Sequence, residues 1–448
     1  MAQAFFGGVH PHDMKAATNE KAIEQLAPPA VVVIPMSMHF GAPCTPLVKA
    51  GDHVKVGQKI GEFHGLGAPI HASVSGTVKA VEPRPYSMGG NITSVVIEND
   101  MQDEVSEEVQ APADPNALSV EEMVEIVKNA GIVGMGGATF PTHVKITSGI
   151  GKVNTVIING AECEPYITGD HRTMLERPEE IIGGAKFLAK MFGVDKVVIG
   201  VEDNKRNGID AMNKVIAEQK APVVVEPLRC RYPQGGEKQL CQAITGRQVP
   251  PGGLPADIGC AVFNINTTCA IYRALTTGMP VVRKIVTVSG SGVVEPKNLE
   301  CPIGTPVSSL LDACGGLKDG TYKLIAGGPM MGMAQYTADI SVAKGTGAIL
   351  AFCENEEKTV ENPQCIRCGK CVSVCPMHLE PLFMYQYASK GMVEELNDAH
   401  IMDCMECGAC SYICPARMHL THMFKTGKQL VKDKACLLYT SPSPRDCS

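Results

Sequence analysis

The sequence predicts a multidomain chain of mixed α/β and α+β class, closing in a small α-helical domain built on cysteines. Three observations carry that prediction. Strand-like and helix-like segments alternate between residues 153 and 225, which indicates a parallel sheet covered by helices. Short strands punctuated by Gly-Asp and Gly-Gln pairs fill residues 47–78, which indicates a compact β unit. Eight of the 19 cysteines fall between Cys365 and Cys414, in two copies of one spacing. The 448 residues leave room for several domains, and a hydrophobic content of 44% is enough to fill their cores. The net charge is −7 and no dense Lys/Arg block occurs, which argues against a nucleic-acid partner. No apolar run reaches the roughly 18 residues of a membrane span, so no transmembrane segment is expected.

In chain order, residues 1–30 read as an extended arm with few packing signals. Val31-Val-Val-Ile34 is a short strand. Gly51-Asp52 and Gly57-Gln58 mark turns, and Ala68 to Val78 supplies a second half to the same unit. Its text resembles a barrel-sandwich hybrid of the biotinyl/lipoyl type. Carriers of that type present a lysine on the hairpin between the halves, and no lysine occurs between Ile60 and Val78. The unit therefore reads as structural, with His64 and His71 as surface or turn residues. Residues 101–117 are acidic and rich in Pro and Ala, as in a solvated linker. A helix follows. Ser119 and Glu122 form a capping box, Val120, Met123, Val124 and Val127 share one face, and Gly131 ends it.

The next loop holds Gly134, Gly136, Gly137 and Ala138, then Phe140 and Lys145. Closely spaced glycines let backbone N–H groups approach an anion, and a lysine adds charge for a phosphate. The dinucleotide fingerprint is absent, because the glycines follow a helix and Thr139 breaks the spacing. Then come a strand at 153–158, a helix at 178–192, a strand at 196–201, a helix at 204–219 and a strand at 223–225. Polar text at strand ends includes Asn159, Glu162 and Glu164, and later Asn264 and Thr267. Open α/β sheets bind ligands at their carboxyl ends.

The cysteines read Cys365-x2-Cys368-x2-Cys371-x3-Cys375-Pro and Cys404-x2-Cys407-x2-Cys410-x3-Cys414-Pro. This is the spacing that holds [4Fe–4S] clusters in bacterial ferredoxins. Three thiolates grip one cluster, and the fourth ligates the other. Cys365, Cys368, Cys371 and Cys414 are therefore assigned to one cluster, and Cys404, Cys407, Cys410 and Cys375 to the second. A zinc site needs four tetrahedral ligands, not two runs of four each followed by proline. Reduced-thiol usage and clusters point to the cytosol.

Here the motifs support a resemblance. Gly134-x-Gly136-Gly137-Ala138-x-Phe140 with Lys145 resembles the flavin loop of the NADH-binding flavoprotein of respiratory complex I. Asn159-x-x-Glu162-x-Glu164-Pro, Tyr232-Pro-Gln-Gly235-Gly236-Glu237 and Asn264-x-x-Thr267 follow that family's order. Two departures stand out: Ala161 where an acidic residue is usual, and Gly236 where a second Glu is usual. The order of parts, with Gly7-Gly8-Val-His10-Pro11, is similar to the RnfC family of the Rnf complex over residues 5–435.

That resemblance implies an arm and barrel-sandwich hybrid at 1–100, an acidic linker at 101–117, an α/β flavin- and nucleotide-binding domain at 118–284, a soluble-ligand-binding β-grasp domain at 285–345 and an α-helical double [4Fe–4S] ferredoxin-like domain at 360–435. Residues 436–448 are Ser/Pro-rich and resemble a non-native tail, with the helical text breaking after Lys434. The implied cofactors are FMN and two [4Fe–4S] clusters, with NAD(H) as substrate. Gly134, Gly136, Gly137, Ala138 and Lys145 would hold the phosphate. Asn159, Asn264 and Thr267 would contact the ribityl chain or ring. Glu162, Glu164, Tyr232, Gly235, Gly236 and Glu237 would lie near the ring, with Glu164 and Glu237 catalytic and Phe140 stacking on the dinucleotide. The implied activity is ferredoxin:NAD⁺ oxidoreduction coupled to Na⁺ or H⁺ export. The implied partners are membrane-integral and ferredoxin-like Rnf subunits, at the cytoplasmic side of the cell membrane. Rival readings are a corrinoid reductase, a soluble NADH dehydrogenase or hydrogenase flavoprotein, and a plain ferredoxin-type carrier or scaffold.

Overall fold

A computed structural model of the chain describes residues 5–354 and 360–440, with side chains described up to Lys434. Residues 31–99 build two antiparallel sheets. One runs in the order Val31–Pro35, Asn91–Asn99, Gly76–Pro85, His53–Val54; the other in the order Thr45–Pro46, Lys59–Glu62, Ile70–His71. Side-chain alternation selects the inner face: Val32 and Ile34 are buried while Val31 is exposed. Gly76 marks a crossing only glycine fits, since a Cβ there would sit 2.0 Å from the Glu98 carbonyl oxygen. His71 corrects its expectation. It is buried in the Ile70–His71 strand, and desolvation holds its pKa well below the usual imidazole value.

The arm is firmly seated. Ile23–Gln25 adds as a parallel edge strand to Lys297–Pro302. Val9 exchanges both backbone hydrogen bonds with Tyr232, at 2.8 and 2.9 Å, and Gly8 N–H donates to Val374 O at 2.8 Å. A Cβ on Gly7 would meet that same carbonyl oxygen at 2.7 Å. Backbone pairing and buried polar groups hold this segment, so apolar periodicity gave no warning of it. The acidic segment is docked too. Glu104 O accepts from Val56 N–H at 2.8 Å, and Lys55 pairs with Glu104 and Glu107.

The capping box forms as read, and the helix runs Val120–Asn129 with Gly131 at φ +64° beyond it. Met123 and Val127 are fully buried, each stabilising by about 1.5–3 kcal/mol. The central sheet is wholly parallel, in the order Val223–Leu228, Val197–Glu202, Thr155–Gly160, Cys260–Asn264. Val156, Ile157 and Ile158 are all fully buried, as a sheet covered on both faces requires. The strand expected at 153–158 starts at Thr155, and the helix expected from 204 starts at Arg206. Helix Pro178–Phe192 matches its expectation. It crosses helix Ile265–Thr277 so closely that a Cβ on Gly184 would stand 2.3 Å from Thr268 O.

Six strands form the next sheet, in the order Ile23–Gln25, Lys297–Pro302, Arg283–Ser289, Ala348–Cys353, Thr321–Ala326, Met333–Gln335. Helix Val307–Ala313 covers its own apolar core. The cysteine region is helical and repeats at 39 residues. Arg367 and Glu406 share positive φ, as do Gly369 and Gly408, and His378 and Arg417. Helices Pro381–Ser389 and Leu420–Thr440 follow the same interval. The last helix continues past Lys434, correcting the expected break; residues 441–448 of the expected tail lie outside the described residues. One apolar cluster runs unbroken from Val32 and Ile34 of the barrel-sandwich to Ile158 and Phe263 of the α/β unit.

Candidate electron-transfer site

Asn159 and Asn264 stand side by side, paired in register at the carboxyl ends of neighbouring parallel strands. The glycine loop lies over them. Gly136 is required there, because a Cβ would meet the Asn264 amide at 2.9 Å. Gly136, Gly137 and Ala138 are exposed, and a Cβ on Gly137 would meet nothing within 4 Å. Thr267, 1% exposed, ties the loop down: its hydroxyl accepts from Met135 N–H at 2.9 Å and donates to Val133 O at 3.2 Å. Asn264 caps its own helix through Asn266 N–H and donates to Asp170 at 2.8 Å. Asn159 donates to Gly235 O at 2.8 Å. At the rim Lys145 bonds Glu237 at 2.6 Å and Val262 O at 2.9 Å. The four motifs are therefore contiguous in space. Phe140 lies 5.9 Å from Phe40 of the barrel-sandwich, centroid to centroid.

The two predicted inner carboxylates differ. Glu162 is engaged by helix backbone, accepting from Asp170 N–H at 2.6 Å and His171 N–H at 3.3 Å, at the N-terminus of helix Gly169–Glu176. Glu164 reaches the β-grasp unit, accepting from Met330 N–H at 3.1 Å and Met331 N–H at 2.9 Å. Burial pushes Glu164 up to about 7, against the pull of those two amides. Tyr232 is buried and donates its hydroxyl to Cys407 O at 2.6 Å, with Glu164 Oε1 at 3.5 Å. Gln239 Nε2 donates to Pro376 O at 3.3 Å. The third motif and the helix that follows it thus touch both cysteine runs.

Sequence reasoning missed a set of buried lysines beneath this site. Lys15 of the arm donates to Glu162 O at 3.1 Å, Glu164 O at 2.9 Å and Ile167 O. Lys205 donates to Ala161 O at 3.0 Å and pairs with Glu202 at 2.9 Å. Lys284 donates to Met135 O at 3.0 Å. Lys344 donates to Pro69 O and Gly131 O, both at 2.7 Å. Burial draws Lys284 down to about 8 and Lys344 down to about 7. These lysines fasten loops 131–141 and 159–167 from behind through backbone carbonyls. Asp170, held by Asn264 and Asn266, was missed as well. A polar residue eight positions beyond Glu162, at a helix start, was its only signal.

The cysteines surround two cavities. One is lined by Cys375, Cys404, Cys407 and Cys410; the other, of about 280 Å³, by Cys365, Cys368, Cys371 and Cys414. These are the crossed sets that the spacing assigns. Arg367 N–H donates to Cys365 Sγ, Glu406 N–H to Cys404 Sγ and Leu379 N–H to Cys375 Sγ, each at 3.4 Å. Among the described residues no three His, Cys, Asp or Glu side chains converge as ligands of a single ion. Four sulfurs spread around a cavity fit a cluster in which each thiolate takes a different iron. Burial pushes Cys407 and Cys410 up to about 12, so holding them as thiolates requires a cationic centre. The glycine cradle and Lys145 fit a flavin phosphate by the same chemistry of donors.

Residues 3–102 match the family described as the RnfC barrel sandwich hybrid domain, 127–273 the Nuo51 FMN-binding domain, 285–334 the SLBB domain and 358–415 the 4Fe-4S dicluster domain. The C component of the Na(+)-translocating ferredoxin:NAD(+) oxidoreductase complex of Acetobacterium woodii is 45% identical over 401 residues, 89% of this chain and 90% of that protein. The chain belongs to the RnfC family. Another RnfC-family relative, the C component of the proton-translocating ferredoxin:NAD(+) oxidoreductase complex of Clostridium ljungdahlii, is 43% identical over 89% of this chain and 88% of its own length. The C component of the ion-translocating oxidoreductase complex of Rhodobacter capsulatus is 41% identical over 84% and 73%. The crystal structure of an NAD+-reducing [NiFe]-hydrogenase in the air-oxidized state aligns with TM-score 0.50 at 17% identity, covering 72% of this chain and 68% of that chain, a likeness of fold. Among the described residues no helix is long and apolar enough to cross a membrane.

Proposed function

We propose that this chain is the nicotinamide-side subunit of a membrane-bound, ion-translocating ferredoxin:NAD⁺ oxidoreductase complex. It associates with membrane-integral and ferredoxin-like subunits at the cytoplasmic face of the cell membrane. A bound flavin exchanges electrons in pairs with a nicotinamide and singly with an iron–sulfur cluster. Gly134, Gly136, Gly137, Ala138 and Lys145 hold the flavin phosphate. Asn159, Gly235 and Asn264 fix the floor on which the ring rests, and Thr267 fixes the loop above it. Glu164 and Glu237 flank the dinucleotide, with Phe140 offering a stacking face, and Gly236 lets its loop pack against the cysteine domain, where a Cβ would meet the Met405 methyl at 2.7 Å. Lys15 and Lys205 orient the Ala161–Ile167 turn from behind.

The observation that carries this reading is the hydrogen bond from Tyr232 to Cys407 O at 2.6 Å. It joins the third flavin motif directly to a cysteine run. It also gives an order: the cluster of Cys375, Cys404, Cys407 and Cys410 lies inside, against the flavin domain. The cluster of Cys365, Cys368, Cys371 and Cys414 faces outward, since Cys365 and Cys368 are exposed. Anaerobic purification followed by iron, sulfide and flavin analysis tests the reading. About eight irons, about eight sulfides and one FMN are expected, with flavin absorbance bleached by NADH. A colourless protein, or one whose metal is zinc, overturns it.

A further inference from the structure

We propose that Phe40, carried by the barrel-sandwich domain, completes the dinucleotide site as a stacking surface for one of its heteroaromatic bases. The proposal rests on the nicotinamide reading above and adds a residue from a domain that no flavin motif includes. Val32, Ile34, Met36 and Met38 keep strand parity and are each at most 1% exposed. The next residue of that parity, Phe40, is instead 57% exposed. A built bend turns it outward. Gly41 has φ +127°, and a Cβ there would stand 2.0 Å from Leu66 O, so no other residue fits. Phe40 N–H donates to Thr139 O at 3.0 Å, which fastens the bend to the glycine loop.

Thr139 itself is a β-branched residue at φ +49°, a conformation that is strained and tends to mark functional loops. The Phe40 ring lies 5.9 Å from Phe140 at an interplanar angle of 36°, so two aromatic rings from two domains sit together at the loop. On the same loop the position of a Gly137 Cβ is open for 4 Å. An exposed ring backed by a half-buried one, beside an exposed glycine loop, suits a flat base, since stacking needs a π-face and no hydrogen-bond partner. The base is the adenine or the nicotinamide, and the test separates them.

Calorimetric titration of the oxidised, flavin- and cluster-loaded protein with NAD⁺ and with nicotinamide mononucleotide provides that test. Phe40→Ala should weaken NAD⁺ binding about ten-fold or more, with flavin and iron content equal to wild type. Phe40→Trp should bind as tightly as wild type. Unchanged mononucleotide binding in Phe40→Ala assigns the ring to adenine; an equal loss assigns it to nicotinamide. NAD⁺ binding within about two-fold of wild type in Phe40→Ala overturns the proposal. So does flavin loss in proportion to the NAD⁺ loss. Phe40→Leu keeps apolar bulk without a π-face, and wild-type affinity in that variant likewise rejects stacking. A loaded wild-type protein that fails to bind NAD⁺ removes the nicotinamide reading first, and the proposal with it.

Discussion

Replacing Thr267 by valine separates a ligand contact from a loop tie. Valine keeps the shape of threonine but deprives Met135 N–H and Val133 O of the hydroxyl that meets both. Thr267 is 1% exposed, so water does not replace it. Each stranded interior group costs about 1–2 kcal/mol, the lower part of the usual range, which puts the substitution at about 2–4 kcal/mol. For a unit of this size that corresponds to a melting decrease of roughly 5–15 °C. Thr267→Ser keeps the hydroxyl and should lie within about 1 kcal/mol of wild type. Anaerobic scanning calorimetry on both variants, with flavin content measured alongside, reads the difference. If Thr267→Val melts with wild type yet loses its flavin, the hydroxyl is a ligand and the tie is refuted.

Cys375→Ala should leave about four irons and abolish the electron paramagnetic resonance signal of the inner cluster, whereas Cys365→Ala should abolish the outer one; loss of the same signal in both variants contradicts crossed ligation. Glu164 has a folded-state pKa of about 7, above the ordinary carboxylate value, so the native state holds its proton more tightly than the unfolded chain. Its contribution is present below about pH 4.5 and is lost as pH rises through 7. Glu164→Gln should therefore flatten the melting curve between pH 5 and 7.5 by at most about 3 kcal/mol, and an unchanged slope counts against the burial argument. Lys344 shows the opposite sign. Its folded-state pKa of about 7 lies below the ordinary value, so stability rises as pH increases from 7 toward 10.5. Lys344→Met should remove that rise and strand Pro69 O and Gly131 O, costing about 2–4 kcal/mol by thermal melting at pH 7; a melting temperature equal to wild type disproves the tie.

Much of this was legible in the sequence because it rests on local rules. The Ser119–Glu122 capping box, helix Pro178–Phe192 and the crossed cysteine sets each depend on residue types at fixed short spacings. The flavin motifs were legible as motifs, but their internal roles were not. Thr267 and Asn264 belong to the motif, yet their polar groups are engaged by Met135, Val133, Asn266 and Asp170. Lys15, Lys205, Lys284 and Lys344 were invisible because their partners are mostly backbone carbonyls, which carry no residue signature. The arm escaped for a similar reason: a parallel edge pairing such as Ile23 with Asn298 is long-range and needs no apolar run. Phe40 carried no signal in the sequence, because only the bend at Gly41 sets it outside the buried parity of Val32, Ile34, Met36 and Met38.

The seating of Gly7, Gly8 and Val9 against Val374 and Tyr232 has a consequence for biosynthesis. Residues 7–9 have no complete berth until the cysteine-rich portion has left the ribosome. At about 5–20 residues per second that wait lasts roughly 20–70 s. Residues 7–9 are thus made well before the partner that seats them, and cofactor loading near Cys375 and the seating of this segment become linked late events.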